Sequence, residues 1–109
     1  MWRVGWLPAA LAAALGLSAV AAAASGASPA QQAFARDLVQ AEPKVKDALW
    51  MNSQTLYVGV LNDGTRRDGY AQTICHDAGP RGARLVKVVD IAKVKSTGKF
   101  VELGRAHCP

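Results

Sequence analysis

The chain carries only two cysteines and two histidines among 109 residues. So few soft ligands exclude a framework of several disulfides and a pair of C-x-x-C zinc knuckles. Aromatic residues make up 6% of the chain, and two of the three tryptophans, Trp2 and Trp6, lie near its start. The basic stretch from Arg81 to Arg105 has Phe100 as its one aromatic, so it lacks the interleaved stacking surfaces that bind single-stranded nucleic acid. No glycine-rich walk ends in a phosphate-gripping lysine, and no serine sits in a glycine-flanked nucleophile elbow. No internal repeat is present. Phosphate-loop and serine-hydrolase chemistries thus have no footing in this sequence.

Charge is missing from the first quarter, where Arg3 is the one ionic residue before Arg36. Val4 to Val20 is almost wholly apolar and Ala21 to Ala30 is built from small residues. A basic start, an apolar centre and small residues at the cut describe a secretory signal peptide. Residues 1–30 are therefore expected to be removed, with the cut after Ala24, Ala27 or Ala30, leaving residues 31–109 as one domain. The competing possibility is an uncleaved anchor, since Val4 to Ala24 is just long enough to span a bilayer. No stop-transfer cluster of Lys and Arg follows it. The expected product is periplasmic or secreted and is not an integral membrane protein. A cysteine pair in such a compartment reads as a disulfide, Cys75 to Cys108. A chain this short builds one modest core and benefits from a covalent staple.

Beyond the signal, periodicity predicts α-β-β-α-β-β. Ser28-Pro29 opens a helix to Ala41, with Phe34, Leu38 and Ala41 on one face, and Glu42-Pro43 ends it. Val45 to Met51 fits a strand or a short helical extension; the strand is favoured because Asn52-Ser53-Gln54 gives a connecting turn to a second strand beginning at Thr55. Asn62-Asp63-Gly64 marks a turn that places Gly64 at positive φ. Asp68 is expected to cap a helix burying Tyr70, Ala71, Ile74, Cys75 and Ala78, stopped by Gly79-Pro80. Ala83 to Ile91 carries apolar residues on both faces and predicts a central strand, its alternation continuing weakly through Val94. Phe100, Val101 and Leu103 predict a last short strand. The fold class is α+β: a small single-layer sheet of about four strands with two helices on one face.

Four sets of residues carry possible chemistry. Cys75, His76, His107 and Cys108 form two Cys/His pairs that a metal such as zinc could use were the cysteines reduced. The adjacency of Cys75, His76 and Asp77 argues against a catalytic triad, because neighbours on a helix point about 100 degrees apart. Arg66 and Arg67 precede a helix start and are a candidate anion site, or a charged turn paired with Asp63 and Asp68. Trp50 is a core aromatic or a partner contact. Arg81, Arg84, Lys87, Lys93, Lys95, Lys99 and Arg105 make the C-terminal half basic within a chain of net charge +5.

The leading expectation is an exported, non-enzymatic binding or structural domain whose partner is a protein or an anionic envelope component. The alternatives are a metal-binding protein or enzyme built on the Cys/His quartet, and a basic module for an anionic surface. No cofactor is expected, and nucleic acid is not the expected partner.

Overall fold

The computed structural model describes residues 25–109. The N-terminal apolar segment expected to be a signal, and the candidate cut after Ala24, lie outside the described residues.

Helix α1 spans Pro29–Ala41 and starts from a capping box. The Ser28 hydroxyl accepts from the Gln31 N–H at 3.1 Å, and the Gln31 side chain accepts from the Ser28 N–H at 2.9 Å. Gln31 is itself buried, and its Nε2 donates to the carbonyls of Ser53 at 2.7 Å and Arg81 at 2.9 Å. One buried amide thus caps a helix and ties it to two distant loops. Strands β1 (Asp47–Asn52) and β2 (Thr55–Val60) form the expected antiparallel hairpin, with Leu49 opposite Tyr57 and Trp50 opposite Leu56. Helix α2 (Asp68–Ala78) buries Ala71, Ile74, Cys75 and Ala78. A 3-10 turn at Gly79–Arg81 leads to β3 (Leu85–Asp90), which pairs parallel with β2.

Three expectations need correction. The alternation beyond Asp90 is not strand but a third helix, α3 (Ile91–Thr97). Asp90 starts it, its carboxylate accepting from the Lys93 N–H at 3.2 Å. Ile91 and Val94 also satisfy an i, i+3 spacing, so the short apolar pattern fits either period. The last strand, β4, runs Glu102–His107 and begins beyond Phe100 and Val101. Asp68 is not an N-cap: the cap position is Arg67, with no side-chain capping bond. The Asp68 carboxylate instead accepts from the backbone N–H of Arg105 at 2.9 Å.

The result is an α+β fold with a mixed sheet in the order β1-β2-β3-β4. Strand alternation divides its two faces. Trp50, Leu56, Val58, Val60, Val86 and Val88 point toward α1 and α2 and are fully buried, each contributing about 1.5–3 kcal/mol. Leu49, Tyr57, Lys87 and Arg105 point the other way, onto a face that α3 covers at one end only. There Ile91 sits over Gly59, where an added Cβ would come within 2.8 Å of the Ile91 Cδ1.

Candidate functional site

The Cys/His quartet is brought together, but as a disulfide. Cys75 on α2 and Cys108 beyond β4 are joined, with their Cα atoms 5.2 Å apart. A disulfide has no thiolate to offer a metal or a substrate carbonyl. His76 and His107 flank the bond and line a cleft of about 640 Å³ with Gln72, Gly79 and Pro80. Ala106 and Cys108 are buried, whereas His107 between them is exposed at the cleft. Among the described residues, no group of three or more His, Cys, Asp or Glu side chains is placed to hold a metal ion.

The anion-site expectation for Arg66 and Arg67 meets a charge-compensated loop. Arg66 makes two hydrogen bonds to one carboxylate oxygen of Asp68, at 3.0 Å from Nε and 2.6 Å from Nη2. Arg67 is buried, pairs with Asp63 at 3.2 Å and donates to the Leu61 carbonyl at 3.2 Å. Its Nε makes no hydrogen bond. The loop is shaped by its own side chains: the Asn62 amide oxygen accepts from the Gly64 N–H, and the Asp63 carboxylate accepts from the backbone and hydroxyl of Thr65. Gly64 has φ +86°, as expected of this turn. Hydrogen bonds from Thr65 and the charge of Arg67 hold the Asp63 carboxyl below the usual carboxylate range.

Trp50, the candidate contact residue, is fully buried. Its Nε1 donates to the Gln31 carbonyl at 2.7 Å, and its ring meets Phe34 edge-on with centroids 6.5 Å apart. As folded it offers no surface to a partner. Its neighbours in β1 do: Leu49 is 46% exposed and Met51 is 40% exposed.

Leu49 belongs to the uncovered sheet face, while Met51 lies at the register shift between Trp50 and Asn52. Phe100 leaves α3 and packs edge-on against Tyr57, with centroids 5.1 Å apart, and Lys87 lies 5.6 Å from the Tyr57 ring centre. Leu49, Tyr57, Val94 and Phe100 line a small groove of about 100 Å³. At the β4 side, Glu102 binds Arg105 through both carboxylate oxygens and lies 3.7 Å from Lys87. The Arg105 hydrogen bonds hold the Glu102 carboxyl below its ordinary range.

This face was not legible from the sequence as a site. Its apolar residues come from β1, β2, α3 and the loop after α3, so no single stretch displays them. The available signal was Gly59, a glycine inside an otherwise apolar strand, which marks close approach of another element. No family model, curated protein or solved structure matches the chain.

Proposed function

We propose that this chain is a small exported domain that binds a partner, or joins a larger structure, through the uncovered face of its sheet. The observation that carries this reading is the asymmetry of the two faces. One is closed by α1, α2 and the disulfide, while the other leaves Leu49 46% and Phe100 43% exposed. Large apolar side chains gathered on one side of a small domain mark interaction surfaces more often than isolated ones do. The disulfide supports export, because such bonds persist in oxidising compartments.

A photoreactive residue placed at Leu49 in the native host tests the reading, with the same residue at Arg36 on the far side of α1 as comparison. Discrete adducts from position 49 and few from position 36 are expected. Equal, diffuse labelling from both would overturn it.

A further inference from the structure

We infer that the α3 end of the uncovered face docks onto the surface of an anionic phospholipid bilayer. The inference rests on the reading of the chain as a binding domain and names the partner of that face. Ile91 and Val94 turn toward the sheet, which leaves Lys93 and Lys95 exposed on α3 and Lys99 exposed in the loop that follows. None of the three forms an ion pair among the described residues, as is also true of Arg36, Lys44, Lys46, Arg81 and Arg84; the three differ in following one another within seven residues beside Phe100. From residue 91 to 101 there is no acidic side chain, and Asp90 is buried beneath the helix it caps. Two acidic groups lie near the groove: Asp47, exposed in its lining, and Glu102, opposite Val89 and bound by Arg105 through both carboxylate oxygens.

Three uncompensated cations thus border exposed apolar groups. Phe100 is 43% exposed and held edge-on by Tyr57, and Leu49 lies across the groove from it. A purely electrostatic patch for an acidic protein needs no such aromatic. A membrane interface uses both parts, since lysines meet anionic headgroups while an aromatic ring enters the boundary with the acyl chains. Each lysine near an anionic leaflet raises affinity about fivefold, so three together give about a hundredfold.

The test uses the protein purified as processed in its host, with its disulfide intact. It is sedimented with vesicles of phosphatidylcholine alone, or with roughly a third of the lipid replaced by phosphatidylglycerol. Binding to the anionic vesicles alone, weakening as salt screens the charges, is expected. The triple variant Lys93→Gln, Lys95→Gln, Lys99→Gln should lose about a hundredfold, and Phe100→Ser should weaken binding while leaving the salt dependence in place. Unchanged melting curves confirm that both variants fold. Equal binding to neutral vesicles, no binding, or a triple variant that binds as wild type would each overturn the inference. So would tighter capture by a single-stranded DNA column that ignores Phe100→Ser. Protein adducts from the position 49 crosslinker in the absence of vesicle binding would sink this inference alone and leave the broader reading intact.

Discussion

Gly104 shows how a single missing side chain sets this fold. It lies in β4, facing α2, and a Cβ built there would fall within the backbone of Arg67 and Asp68. Backbone cannot rotate aside as a side-chain tip can, so the start of α2 would have to leave the sheet. Gly104→Ala should destabilise the protein by about 3 kcal/mol, the upper end for overpacking. In a domain of this size that lowers the melting temperature by roughly 12–24 °C. Gly69 provides the contrast. It sits in the first turn of α2 with nothing within 4 Å of its would-be Cβ. Gly69→Ala should stabilise by about 0.5–1 kcal/mol, because alanine loses less backbone entropy in a helix. Thermal melts of the two variants decide it; a tolerated Gly104→Ala would show that α2 and β4 are not in this contact.

At the scale of elements, the same contact protects a sheet edge. β1 and β4 are the two outer strands. On β4 the Arg67 N–H donates to the Leu103 carbonyl at 3.1 Å, and the Asp68 carboxylate accepts from the Arg105 N–H. The start of α2 therefore stands in for a further strand and blunts the edge. The Arg105 N–H, then Arg66, hold the Asp68 carboxyl below its ordinary value of 3.8. A depressed value in the folded state means that the contribution is complete above that ordinary value and is lost as pH falls through the folded one. Asp63 and Glu102 are shifted in the same direction, so stability should decline in acid below about pH 4. Urea melts at pH 7 and pH 3 should show a smaller acid loss for Asp68→Asn than for wild type; an identical loss would separate Asp68 from this effect. The sequence reading found α1, the β1–β2 hairpin, α2 and β3 because each has a long period or a clear stop signal. It missed α3 because Ile91, Ala92, Lys93 and Val94 are too few to separate two periods. It misplaced β4 because the buried face of that strand is Gly104 and Ala106, small residues with weak hydropathy, the first of them held close to the start of α2. Asp68 was assigned to the local helix start when its partner lies 37 residues away in the chain. Trp50 is open between core and contact in the sequence because its burial depends on how α1 packs, and Arg67 is open between anion site and charged turn because its pairing depends on the crossover loop.

Among the described residues, α1 and α2 form the layer that closes one face of the sheet while α3 covers only an end of the other, and stability depends on how the α1–α2 layer is tethered. At the N-terminal side the tether is the Ser28–Gln31 capping box. If the proposed signal is removed, a cut after Ala24 or Ala27 keeps Ser28 and the box, whereas a cut after Ala30 removes Ser28 and exposes the helix start, a loss of about 1 kcal/mol. The intact mass of the processed protein should therefore show a start at Ser25 or Ser28; a product beginning at Gln31 would show that α1 holds without its cap. At the C-terminal side the tether is covalent. Cys75 projects from the buried face of α2, beside Ile74 and Ala78, and Cys108 follows the last residue of β4. The Cys108 N–H continues the β3–β4 pairing by donating to the Arg84 carbonyl at 2.8 Å, so the strand delivers its cysteine directly under the helix. The bond spans a sequence separation of 33. Closing a loop of that size removes unfolded-state entropy equivalent to about 3–4 kcal/mol. Small domains have net stabilities of about 5–15 kcal/mol, so this link supplies a large share. Cys75→Ala with Cys108→Ala should lower the unfolding free energy by about that amount, and reduction of the native protein should reproduce the shift. Denaturant melts with and without reductant measure it, and peptide mapping without reduction confirms the link. Should the double variant and the reduced protein unfold at the same denaturant concentration as the native protein, the fold would owe its tether to packing of α2 on β3 and β4 alone.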